Sequence, residues 1–128
     1  MIVVDTSAIV AVMFGEEGSA DVERRLLAER CVISAATRVE LGIVIEAKKG
    51  PAGTQLLEEL LGRLEVEVVP VDVELAEEAI VCWRRFGKGR HRASLNFGDT
   101  FSYALARQLG QPLVFVGDDF AHTDVEQP

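Results

Sequence analysis

Apolar residues along this chain fall into short unbroken runs separated by longer periodic stretches. Ile2-Val3-Val4, Cys31-Val32-Ile33 and Leu113 to Val116 are almost wholly apolar, as expected for strands covered on both faces. Val66 to Val71 reads as a fourth strand. Between these runs, apolar positions recur at helical spacing. The pattern predicts helices over Ala8 to Met13, Asp21 to Arg30, about Ser34 to Lys49, Thr54 to Leu64, Val73 to Phe86 and Gly98 to Leu109. Gly50-Pro51 stops the third of these, and Gly110 with Pro112 closes the last. Gly87 to Phe97 reads as a loop, and the polar tail after Gly117 as a turn with room for one edge strand. Strands and helices therefore alternate. That order predicts an α/β fold with a mostly parallel sheet of four to five strands and helices on both faces. In such sheets, chemistry collects outside the carboxyl ends of the strands.

Composition narrows the class. A chain of 128 residues suits one domain spanning 1–128. Apolar residues make up 48% and charged residues 27%, an ordinary globular mixture. No uncharged stretch approaches the roughly 20 residues that cross a bilayer, so no membrane segment is expected. Asp5 interrupts the first apolar run, and no basic segment precedes it, so a signal peptide is not expected. Cys31 and Cys82 sit among apolar neighbours and read as reduced, buried thiols of a cytoplasmic protein. The net charge is −8. Contact with a nucleic acid then requires a local basic patch or a bound cation.

The acids stand where this fold places chemistry. Asp5 ends the first strand, where an N-cap role is equally available. Glu40 interrupts an apolar stripe, Ala36, Ile43, Val44 and Ala47, on the third helix, where an unpaired charge is costly. Asp99 opens the last helix, between Phe97 and Phe101, and suits the helix dipole there. Asp118 and Asp119 follow the last strand, in a sequence that also suits a plain turn. Carboxylates that converge repel one another and are stable together only with protons or bound cations. Hard divalent ions favour oxygen-only sites of this kind. The two His and two Cys are scattered and lack zinc spacing.

One segment runs against the overall charge. Ala79 to Gly98 contains no acid, and Arg84, Arg85, Lys88, Arg90 and Arg92 place five of the thirteen basic residues in nine positions. Such a strip suits phosphate contacts, with salt bridges to neighbouring helices as the alternative. Gly87 and Gly89 are expected to let the loop close over a ligand.

Asp-Thr-Ser at the first strand end, Glu40 in Arg-x-Glu-Leu, Gly-Asp-Thr-Phe-Ser-Tyr-Ala at Asp99, and a late acid after an apolar strand resemble the PIN domain. Gly-Lys-Gly-Arg-His-Arg-Ala-x-Leu-Asn-Phe-Gly-Asp and Gly-Asp-Asp-Phe-x-x-Thr-Asp make the chain similar to VapC-type toxins of bacterial toxin–antitoxin pairs. The resemblance spans essentially the whole chain. It implies a PIN-like three-layer α/β/α sandwich and a Mg²⁺-dependent endoribonuclease, with Mn²⁺ able to substitute. The acids it implies as catalytic and metal-binding are Asp5, Glu40, Asp99 and Asp119, with Asp118 as the alternative fourth. Ser7 matches a hydroxyl that supports the metal-holding acids, and Thr6 does so less directly. Lys88, Arg90, His91 and Arg92 are the candidate RNA contacts. Attack by an activated water on phosphorus is implied to leave a 5′-phosphate and a 3′-hydroxyl. A homodimer and a VapB-type antitoxin partner are implied as well. Surplus apolar residues on the third helix, among them Val39, Ile43 and Val44, agree with a partner surface.

Other classes fit less well. A phosphatase of the haloacid dehalogenase type wants a second Asp where Ser7 stands. A phospho-receiver domain wants a Lys on the last strand, and Leu113 to Gly117 has none. The remaining alternative is a PIN-like scaffold that binds RNA or protein without catalysis.

Overall fold

The computed structural model describes residues Met1–Pro128. Its centre is a four-stranded sheet of β1 (Ile2–Val4), β2 (Cys31–Ser34), β3 (Glu67–Val69) and β4 (Leu113–Val114). The spatial order is β3-β2-β1-β4, and every pairing is parallel. Parallel neighbours need crossovers. Here α1 (Thr6–Phe14) and α2 (Ser19–Ala28) link β1 to β2, and α3 (Ala35–Arg63) links β2 to β3. The last crossover, α4 (Val73–Phe86) with α5 (Phe97–Leu109), leads to β4.

Alternating side chains split the core into two layers. Val3, Val32 and Leu113 pack with Leu75, Cys82, Phe86, Tyr103 and Leu105 from α4 and α5. Ile2, Val4, Cys31 and Ile33 pack with Ile9, Leu26, Leu41, Ile45 and Leu57 from α1 to α3. Each fully buried aliphatic chain contributes roughly 1.5–3 kcal/mol by leaving water. The three layers and the parallel sheet are those the alternation of runs predicts.

Three local features bear on the sequence reading. First, Gly50, with φ 66° and ψ −165°, interrupts α3 and separates two helical stretches, as Gly50-Pro51 predicts. Pro51 restarts it in a position where its missing N–H costs nothing. Second, the buried stripe of α3 is Thr37, Leu41 and Ile45, one position away from the predicted one. Ile43 is 64% exposed. The sheet takes the 37/41/45 face, which leaves Glu40 half-buried at its edge rather than inside the core. Third, the tail forms no edge strand. Asp119–His122 is a short 3₁₀ turn, η1, and one backbone bond, from Leu113 N–H to the Glu126 carbonyl at 2.8 Å, ties the tail to β4.

The strand order turns at β1. From β1 the chain runs to β2 on one side, and β4 later joins on the other. A crevice opens at the carboxyl ends of β1 and β4.

Candidate active site

Asp5 sits at that crevice, directly after β1, and is 3% exposed. It is the N-cap of α1, with its Oδ2 accepting from Ser7 N–H at 3.0 Å. Its Oδ1 accepts from the Ser102 hydroxyl at 2.6 Å. The capping role and a ligand role are therefore compatible: both oxygens are held, and each keeps a lone pair. Ser7 does a second job, its hydroxyl accepting from Val116 N–H at 3.0 Å. That bond ties the start of α1 to the chain leaving β4.

Asp99 lies in the first turn of α5 and is 9% exposed. Asn96 caps this helix, and the two residues form a reciprocal box. Asp99 N–H donates to Asn96 Oδ1 at 2.9 Å and Asn96 N–H to Asp99 Oδ2 at 3.0 Å. Burial pushes the Asp99 carboxyl up to about 7. The Asn96 backbone bond opposes this shift, and the charges of Asp5, Asp119 and Glu40 add to it. Carboxylates from three other elements thus act on Asp99, as converging acids must.

Glu40 reaches the cluster from α3. Its Oε1 accepts a short bond, 2.5 Å, from the Thr6 hydroxyl. Its carboxylate lies against Gly98, where a Cβ would stand 2.0 Å from Oε2. Only glycine leaves that space. Asp119 opens η1, and its charge is among those acting on Asp99. Asp118 precedes η1, is exposed, and makes no capping bond.

Two residues that the sequence reading passed over complete the floor of the site. Ser102 is one turn beyond Asp99 on α5 and so shares its face. Behind it, Thr37 Oγ1 lies 3.5 Å from Ser102 Oγ. The spacing from Asp99 was the available signal for Ser102. Gly98 carried no chemical signal of its own.

The donor chemistry fits a hard divalent cation: the four acids offer only oxygen, and Asp99 registers the surplus negative charge. As the side chains stand, no three His, Cys, Asp or Glu residues are placed to hold one ion together.

The basic segment is built rather than loose. Gly87 packs so closely on Trp83 that a Cβ would lie 2.3 Å from its ring, and Lys88 N–H bonds the Leu95 carbonyl at 2.9 Å. The glycines serve close approach at 87 and a positive φ of 84° at 89. Arg85 is committed to Asp124 and Tyr103. Arg90 donates to the Arg84 carbonyl and lies over the Trp83 ring at 4.7 Å. His91 packs edge-on against Phe86, and its Nδ1 accepts from Ala93 N–H. Lys88 and Arg92 are exposed.

A surface cavity of about 680 Å³ lies at the far end of α5 beside Glu74, Glu77 and Arg107 and contains none of the four acids. A second groove of about 610 Å³ between α4 and α5 is mostly apolar and includes Ile80, Trp83, Phe97 and Phe101. Phe97 and Phe101 are shared with a smaller groove bordered by Val39, Glu40 and Ile43.

Comparison with known proteins follows the same lines. A family model described as "PIN domain" matches residues 2–126. "VapC ribonuclease Mb0640" of Mycobacterium bovis is 44% identical over 124 residues, 96% of this chain and 95% of that protein. "Ribonuclease VapC" of Mycolicibacterium smegmatis is 46% identical over 125 residues, 96% of each chain. Among solved structures, VapC20 of Mycobacterium tuberculosis, described as a Sarcin-Ricin loop cleaving toxin, superposes with a TM-score of 0.80 at 19% identity. That match covers 100% of this chain and 98% of the other. VapBC2 from Rickettsia felis, bound to a fragment of its promoter DNA, gives a TM-score of 0.76 at 15% identity, covering 99% and 96%.

Proposed function

The chain belongs to the PIN-domain family, among the VapC ribonucleases, and from that premise we propose that it is a toxin endoribonuclease whose acids hold Mg²⁺ or Mn²⁺. The observation that carries this reading is the convergence on the buried Asp99 carboxyl of the charges of Asp5, Asp119 and Glu40, with Asp5 capped at the end of β1 and Glu40 lying against Gly98 beside Asp99.

Asp5 and Asp99 are the fixed members, each locked by a helix cap. Glu40 and Asp119 would complete the set of acids that holds the cation. Asp119 serves as the fourth acid in preference to Asp118. Thr6 orients Glu40, and Ser7 holds the floor through Val116. A bound divalent ion supplies polarisation of the scissile phosphate and a lowered pKa for the attacking water. It also offsets the pocket's negative charge, which otherwise repels RNA. Lys88, Arg90 and Arg92 contact the phosphate backbone, and His91 contributes through its remaining ring nitrogen. Single-stranded or looped RNA suits side-chain recognition better than a deep A-form groove.

The antitoxin partner follows from the family. A VapB-type antitoxin neutralises the toxin, and basic antitoxin side chains complement the acidic pocket. The apolar face of Val39, Ile43, Phe97 and Phe101 serves a homodimer. Light scattering at increasing concentration is expected to report a dimer, and a monomer at every concentration contradicts that part. No helix is long and apolar enough to cross a membrane, and both cysteines are free and buried, in keeping with action in the cytoplasm.

The replacement Arg90→Ala with Arg92→Ala is expected to weaken RNA binding and flatten its dependence on salt, by about one unit of slope per lost phosphate contact. Cation affinity should stay at the parent value, and calorimetry checks it. The reading as a whole is tested by incubating total RNA with the protein in Mg²⁺, in Mn²⁺ and in EDTA. Discrete fragments that need the ion support it. Intact RNA, with no divalent binding by calorimetry, moves the assignment to a non-catalytic scaffold.

A further inference from the structure

Beneath Asp5 lies a line of buried hydroxyls that the catalytic assignment does not use. Ser34, Thr37 and Ser102 are 1%, 2% and 1% exposed. They come from the end of β2, the first turn of α3 and the middle of α5. Ser34 Oγ donates to Thr37 Oγ1 at 3.3 Å and accepts Thr37 N–H at 3.0 Å. Thr37 Oγ1 lies 3.5 Å from Ser102 Oγ, and Ser102 Oγ donates to Asp5 Oδ1 at 2.6 Å.

The carboxylate fixes the sense of this line. An ionised carboxylate only accepts, so the Ser102 proton points at Asp5. Ser102 oxygen is then free to accept from Thr37, and Thr37 accepts from Ser34. Each hydroxyl donates its hydrogen bond one step toward Asp5. No buried side-chain nitrogen or oxygen in the protein lacks a partner, and within this line every hydroxyl has one. Ser7 N–H already holds Oδ2. With Ser102 on Oδ1, the carboxylate plane of Asp5 is pinned from α1 on one side and α5 on the other.

We propose that Ser102 is a positioning residue for cation binding: its hydroxyl, oriented by Thr37 and Ser34, fixes the Asp5 carboxylate in the attitude that receives the divalent ion. The inference rests on Asp5 being a cation ligand, as proposed above. A partner behind a ligand typically changes affinity or activity by about 10–100-fold when removed. Ser102 does not touch the substrate, so its effect falls on the ion and on turnover rather than on RNA affinity.

The experiment titrates Mn²⁺ into the free protein by calorimetry, with no RNA present, for the parent, Ser102→Ala, Ser102→Thr and Asp5→Asn. Cleavage is then measured as kcat and KM. Ser102→Ala is expected to raise the Mn²⁺ Kd about tenfold and lower kcat, with KM for RNA near the parent value. Ser102→Thr restores the hydroxyl and should recover much of the loss. A small core change that only disturbed packing would not be rescued by adding a methyl group. If Ser102→Ala does not fold, Ser102→Cys keeps the size with a weak donor and should show the same loss. Parent-like Mn²⁺ affinity in Ser102→Ala or Ser102→Cys, together with lost binding in Asp5→Asn, overturns the positioning role alone. Parent-like Mn²⁺ affinity in Asp5→Asn overturns the ligand assignment, and the inference with it.

Discussion

Asp99→Asn is expected to lower RNA cleavage by at least about 10²-fold, while the cation-free protein melts a few degrees higher at pH 7.5. Asparagine keeps an oxygen to accept Asn96 N–H, so the cap of α5 survives. What it removes is a buried charge that burial and three neighbouring carboxylates disfavour. The sign follows from linkage. The folded protein holds the Asp99 carboxyl at about 7, above its ordinary value of 3.8. Between those two pH values the folded state binds the extra proton. The stability tied to that proton is complete below about 4 and is lost as pH rises through 7. The melting-temperature gap between Asp99→Asn and the parent should therefore be largest at pH 7.5 and shrink toward pH 4.5. Saturating Mg²⁺ should raise the parent and narrow the gap. Melts across that range, with and without the ion, check all three expectations. A gap that grows toward acid pH contradicts them.

Gly98→Ala is expected to separate activity from stability most sharply. The added Cβ would stand 2.0 Å from Glu40 Oε2 and 2.6 Å from its Cδ. Both atoms belong to the end of a flexible side chain, so Glu40 swings aside and the backbone stays. Its bond from Thr6 is then lost. Alanine also favours the first turn of a helix over glycine by up to about 1 kcal/mol. The variant should melt at or above the parent temperature yet cleave about 10²-fold more slowly, the usual penalty for a misplacement of about 1 Å. Steady-state cleavage beside a thermal melt decides it. Parent-like cleavage removes Glu40 from the catalytic set.

Much of this arrangement was legible in the chain itself. The apolar runs Ile2-Val3-Val4 and Cys31-Val32-Ile33 had to be covered on both faces, and with the helices between them that implied a parallel sheet and crevice chemistry. Asp5 could be placed because it directly follows such a run. Glu40 was harder. Helical spacing does not say which way a helix is rolled, and the sheet selected Thr37, Leu41 and Ile45 instead of the neighbouring stripe. The basic segment illustrates a second limit. Charge counting cannot tell that Arg85 is taken by Asp124 and Tyr103, because that ion pair spans the fold. Nor can it tell that Gly87 exists to admit Trp83. Ser102 lay one turn beyond Asp99, and its role required knowing that α5 faces the end of β1.

The central claim is that these acids together hold a divalent cation, and Mn²⁺ titration of the acid variants tests it most directly. The parent should bind Mn²⁺. Asp5→Asn and Asp99→Asn should lose most of that affinity, Glu40→Gln and Asp119→Asn should weaken it, and Asp118→Asn should leave it unchanged. Undiminished binding in Asp99→Asn, or a loss in Asp118→Asn with Asp119→Asn unaffected, would contradict the site as described.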